Sequence, residues 1–114
     1  MKTLADIPLQ ENERRAIEAA ARLLHEVFPV EQVILFGSKA RGGGDEESDI
    51  DLLVLTSRKL HWREEDAITM ALFDLELAYD VVFSTLIVPT QEWTAGIYRV
   101  LPIHDEITRD GVAA

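Results

Sequence analysis

Cysteine is absent from the 114 residues, which excludes a disulfide framework and thiol chemistry. Basic residues are scarce: 11 Lys and Arg stand against 21 Asp and Glu, a formal net charge of −10. Affinity for phosphate backbones comes from clustered cations, so no direct nucleic-acid binding is expected, and a basic protein partner fits the charge better. No apolar run approaches the length of a transmembrane helix, and the opening MKTLADIPLQENERR has no apolar signal core. The expectation is a cytoplasmic protein with no membrane association. Internal repeats, low-complexity tracts and Pro-, Gly- or Ser-rich linkers are missing too, so residues 1–114 are expected to form a single domain. With 47% apolar residues, the chain has enough material for one core.

What is present is concentrated in two apolar runs and the residues at their ends. Val33 to Phe36 and Ile50 to Leu55 read as buried strands, aliphatic and bounded by turn residues. Gly37 and Ser38 follow the first run, and Asp49 and Asp51 sit at the head of the second. Side chains alternate along a strand, so the two aspartates project from one face. Such a pair suits Mg²⁺, which takes one or two carboxylates and completes its shell with water and phosphate oxygens. Antiparallel pairing of the two strands would bring Gly37 and Ser38 beside Asp49, with the segment from Lys39 to Ser48 closing over the pocket. Gly37 allows close backbone approach, and Ser38 at a helix start offers a hydroxyl and N–H groups to a triphosphate. Lys39 and Arg41 are candidates for neutralising phosphate charge.

Two-metal nucleotidyl transfer calls for a further oxygen ligand near the attacking hydroxyl. Asp80 is the candidate, at the opening of a third apolar run, Val81 to Val88. A helix from Glu64 to Leu77, with Ile68, Ala71, Leu72 and Leu75 on its stripe, lies between the second and third runs. Strand, helix and strand make a right-handed crossover with parallel strands, so both strands start at one edge and Asp80 falls near Asp49 and Asp51. Asp74 and Glu76 compete by sequence distance but belong to the helix.

Other motifs fail. A calcium loop from Asp45 has Ile50 in place of its glycine and Thr56 in place of its glutamate, and the Gly42, Gly43, Gly44 run lacks the Gly-Lys-Ser/Thr of a P-loop. That run is expected to be a flexible flap. His25, His61 and His104 show no metal-ligand spacing. Trp62 and Trp93 are expected to pack near helix starts. Glu11 to Phe28 reads as a helix stopped by Pro29, Thr90 to about Val100 as a second helix capped by Thr90, and Pro102 onward as a last one ended by Gly111.

With these residues in place, the chain resembles the DNA polymerase beta-like nucleotidyltransferase superfamily, and most closely its minimal members, the MNT domains. The stretches GSKARGGGDEESDIDLLV and YDVV stand where the family has Gly-Ser, Asp-x-Asp at a strand start, and a further Asp on a later strand. The implied fold is α/β (α+β), a small mixed β-sheet with helices packed on it. The resemblance implies that Gly37 and Ser38 bind the triphosphate and that Asp49, Asp51 and Asp80 hold metal, two Mg²⁺ ions, with Asp80 also helping to deprotonate the acceptor. Lys39 stands where many relatives have Arg, keeping the charge without the planar fork. It further implies an antitoxin that transfers AMP from ATP to a tyrosine of a HEPN ribonuclease toxin, and hence a hetero-oligomer. Larger relatives hold their acceptor on an added domain, for which 114 residues leave no room; a protein acceptor that docks on the chain meets that need. The alternatives are an antitoxin that acts by stoichiometric binding alone, and a small-molecule nucleotidyltransferase of the aminoglycoside type.

Overall fold

Helix α1, Glu11–Val27, forms because Ile17, Ala20, Ala21 and Leu24 recur at helical spacing and are all buried. Pro29 cannot continue it, and the chain turns at once into β2, Val30–Phe36. The computed structural model describes residues 1–43 and 48–114. The remaining elements are β1 (Lys2–Thr3), a 3-10 turn (Leu4–Asp6), α2 (Gly37–Ala40), β3 (Ile50–Thr56), α3 (Trp62–Tyr79), β4 (Phe83–Pro89), α4 (Thr90–Ala95), a second 3-10 turn (Ile97–Val100), α5 (Pro102–Asp110) and β5 (Val112–Ala113).

The sheet is mixed and five-stranded, in the order β1-β5-β2-β3-β4. As the two apolar runs suggested, β2 and β3 are antiparallel neighbours, with Phe36 opposite Asp51. The α3 crossover makes β4 parallel to β3, with Asp51 in register with Ser84. Alternation then divides the sheet into two faces. Leu35, Ile50, Leu52 and Val54 pack with α1 and with Ile68 and Leu72 of α3. Ile34, Leu53, Leu55 and Val88 face the other way, against Trp93 of α4 and Ile107 of α5.

The structure revises some sequence expectations and adds to others. The second helix ends at Ala95, because Gly96 packs so closely on Glu92 that a Cβ would lie 2.7 Å from its carbonyl oxygen; a 3-10 turn continues to Val100. Thr90 is the first helical residue rather than the cap, and its hydroxyl donates to the Glu31 carboxylate, 2.7 Å. Beyond Gly111, the last residues return to the sheet as β5, antiparallel to β2 and parallel to β1. Trp93 packs as expected, in ring contact with His104 at 4.6 Å, whereas Trp62 is largely exposed. His25 contacts the Val30 carbonyl and His61 caps α3 through Arg63 N–H, both structural roles.

Candidate active site

The candidate site is built where β2 ends and β3 begins. At φ +77°, Gly37 holds a backbone conformation that side chains with a Cβ disfavour. It is also pressed against Asp51: a Cβ at position 37 would lie 2.2 Å from Asp51 Oδ2. Glycine is therefore required twice, by conformation and by approach. Gly37→Ala is expected to cost about 1–3 kcal/mol of stability and, because the added methyl displaces the carboxylate, to reduce activity far more than its melting shift explains. Paired thermal melts and initial rates check this.

Asp49 is exposed just before β3, and Asp51 is half-buried two residues along. Desolvation raises the Asp51 pKa above the ordinary carboxylate value, and the Asp49 and Glu106 charges raise it further, against the opposing effect of Arg41. Two acids held on one strand face at this cost are what a bound cation would stabilise. Half-buried Ser38 follows Gly37 in the single turn of α2, whose backbone closes through Arg41 N–H to Gly37 and Ser38 carbonyls and Gly43 N–H to Ser38 O. Gly37, Ser38, Asp49 and Asp51 are thus brought to one end of one face. The expected closure of the segment from Lys39 to Ser48 rests in part on residues 44–47, including Gly44, which lie outside the described residues.

Two candidates are placed elsewhere. Lys39 turns away from solvent and forms a buried ion pair with Glu13 of α1. Asp80 is not on a strand: it is the C-cap of α3, at φ 58° and ψ 52°, and β4 begins only at Phe83. A left-handed cap reverses the chain, so alternation starts three residues later than an opening at Asp80 requires. Asp80 lines a polar cavity of about 350 Å³ with Gln10, Asn12 and Glu13 at the start of α1 and with Ser48 and Ile50, the residues on either side of Asp49. The β4 residue in register with Asp51 is Ser84. Among the described residues, no three His, Cys, Asp or Glu side chains converge to hold a metal ion. Arg41 does stay at the pocket, half-exposed, and pairs with Glu106 of α5 at 2.9 Å. Glu106 was missed because it comes 55 residues after Asp51, on a helix with no motif of its own.

This geometry coincides with a family match. The model of the family described as polymerase beta, nucleotidyltransferase, matches residues 18–94, which include Gly37, Ser38, Asp49 and Asp51. The chain belongs to that family. Over 58 residues it is 41% identical to MJ0141 of Methanocaldococcus jannaschii, a candidate protein adenylyltransferase; the match covers 51% of this chain and 59% of the relative's length. The chain is also similar to the solved structure of a candidate minimal nucleotidyltransferase, at 26% identity and a TM-score of 0.61, covering 90% of this chain and 92% of the other. A chain of a toxin–antitoxin structure solved with AMP-PNP shares the nucleotidyltransferase fold at 18% identity and a TM-score of 0.58, covering 91% and 72%.

Proposed function

We propose that residues 1–114 act as one minimal nucleotidyltransferase domain that transfers AMP from ATP to a hydroxyl, a tyrosine in the resemblance, of a partner protein. The toxin–antitoxin neighbour and the adenylyltransferase relative support this reading. The observation that carries it is the Asp51 carboxylate pressed against the Gly37 backbone, with the charge of Asp49 acting on it. In the cell the partner would be a HEPN-type toxin, inactivated by the modification, and the strong negative charge of this chain would favour a basic partner surface.

Asp49 and Asp51 would hold Mg²⁺, which when bound polarises the α-phosphoryl group and neutralises the leaving pyrophosphate. Gly37 admits the triphosphate close to the backbone, Ser38 holds it by hydroxyl and N–H, and Arg41, released from Glu106, adds a cation at the rim. Catalysis of this kind is mostly positioning and charge compensation.

One observation favours a second reading. Asp80 is a helix cap, and among the described residues it does not complete a three-ligand metal cluster with Asp49 and Asp51, so a chain that binds its toxin without modifying it keeps the same fold with a weakened site. Incubation with ATP, Mg²⁺ and the protein encoded beside it, followed by intact mass measurement, separates the two. An AMP adduct on the partner supports transfer; a stable, unmodified complex supports binding alone. In the transfer case, Asp80→Ala is expected to leave the adduct yield within about twofold of wild type, because a surface change outside the pocket removes no ligand. A loss comparable to that of Asp49→Asn would return Asp80 to the site.

A further inference from the structure

Asp51 has a strand neighbour on each side, and the two differ in chemistry. On β2 the residue in register is Phe36, half-buried and packed against the cluster of Ile34, Leu53 and Trp93. On β4 it is Ser84, exposed to solvent. Alternation puts Ser84 on the Asp51 face: Leu86 and Val88, two and four residues on, join the same cluster as Leu53 and Leu55, whereas Phe83 and Ile87 join the cluster on the other face. β4 ends the sheet, so no strand of the described residues lies beyond Ser84. An exposed serine on an edge strand is ordinary, and its register is what singles this one out. Neighbouring strands lie about 4.8 Å apart, so the Ser84 hydroxyl borders whatever the Asp51 carboxylate holds. The ladder fixes its backbone, while its hydroxyl has no hydrogen-bond partner among the described residues. Val82, which precedes Phe83 as Asp49 precedes Ile50, is exposed and has no polar side-chain atom to offer.

We propose that Ser84 is a positioning residue that orients the attacking hydroxyl of the acceptor beside Asp51, and that the acceptor enters across the β4 edge. The proposal rests on the adenylyl-transfer reading and deepens it. Phe36 closes the β2 side with apolar surface, so of the two strand neighbours only Ser84 is open and polar. A serine hydroxyl both donates and accepts. Ser84 accepts a hydrogen bond from the acceptor O–H while the acceptor oxygen bonds to the α-phosphorus of ATP. The bond from that phosphorus to pyrophosphate breaks, its electron pair leaving with the pyrophosphate oxygen, and the acceptor proton moves through the Ser84 hydroxyl to water at this exposed rim. A neutral side chain thereby takes the orienting part of the role that the sequence assigned to Asp80.

Two measurements on the full chain test it. In the first, Mn²⁺ stands in for Mg²⁺ and is titrated without nucleotide by electron paramagnetic resonance. Ser84→Asp is expected to tighten Mn²⁺ binding about tenfold by adding a charged oxygen beside Asp51, and Thr85→Asp, the same charge on the opposite face, to leave it within about twofold of wild type. In the second, with ATP, Mg²⁺ and the protein encoded beside this one, Ser84→Ala is expected to lower kcat for adduct formation about tenfold with the KM for ATP unchanged, the loss of one hydrogen bond made in the transition state. Ser84→Thr, which keeps the hydroxyl, should recover most of that rate. Equal Mn²⁺ affinity in Ser84→Asp and Thr85→Asp overturns the placement, and Ser84→Ala at the wild-type rate overturns the role. A wild type that holds Mn²⁺ through Asp49 and Asp51 but forms no adduct fails the transfer reading and takes this proposal with it. An adduct formed equally well by wild type and by the alanine and threonine variants fails this proposal alone.

Discussion

Asp51→Asn is expected to abolish AMP transfer while leaving the protein at least as stable as wild type. The activity loss follows from removing one of two oxygen ligands on the pocket face: charge stabilisation by a bound metal is worth several kcal/mol, about 10²–10³-fold or more in rate. The stability gain follows from the sign of the Asp51 shift. Desolvation, with Asp49 and Glu106 adding repulsion, raises the folded-state pKa above the unfolded value. The folded state then holds its proton more tightly, so stability falls as pH rises through this range. The penalty is fully present above the folded pKa and is relieved as pH drops towards the unfolded one. Asparagine has no charge to lose. The melting-temperature advantage of the variant should therefore be largest near neutral pH and shrink on acidification. Saturating Mg²⁺ and ATP should stabilise wild type and not the variant, cancelling the advantage. Thermal melts with and without Mg²⁺ and ATP across pH check each part, and a variant less stable than wild type at neutral pH would contradict the electrostatic account.

Lys39→Met is expected to have the opposite signature, a large loss of stability with little specific effect on nucleotide. The Lys39 and Glu13 side chains are only 4% and 9% exposed, and one Glu13 oxygen also accepts from Gln10 N–H at the start of α1, 3.0 Å. Removing the ammonium leaves a carboxylate buried at a helix terminus without its cation. Breaking a buried pair from one side costs about 3–5 kcal/mol, whereas replacing both members by apolar groups is often neutral. The single variant should lose on the order of 10 °C in melting temperature, and adding Glu13→Leu should recover much of it. Were Lys39 a phosphate ligand, the KM for ATP would rise sharply and the melting temperature would hold. Measuring both quantities on the single and double variants distinguishes the two roles.

These variants mark where sequence reasoning succeeded and where it stopped. Gly37, Ser38, Asp49 and Asp51 were legible because their arrangement depends only on local rules: a two-residue period puts both aspartates on one side, and two adjacent apolar runs pair antiparallel. The crossover was legible for the same reason, since a helix between two strands imposes parallel pairing. Asp80 was misplaced because the end of α3 was read as the start of β4. The left-handed turn at one residue redirects the following two, and nothing in YDVV announces it. Lys39 was misread because a basic residue beside a phosphate-binding turn invites that role, while its partner lies 26 positions earlier.

By itself, then, the chain's sequence determined the fold class, the order of the central elements and the paired carboxylates at one strand head, all consequences of short-range periodicity. Only the tertiary structure decided which face each remaining charge belongs to. It sent Lys39 inward to Glu13, set Asp80 on the α1 side, brought Glu106 to Asp51 and turned Met70, Phe73 and Leu77 outward. Those outcomes depend on contacts between residues far apart in the chain, where side-chain reach and desolvation determine the arrangement and local pattern carries no information about either.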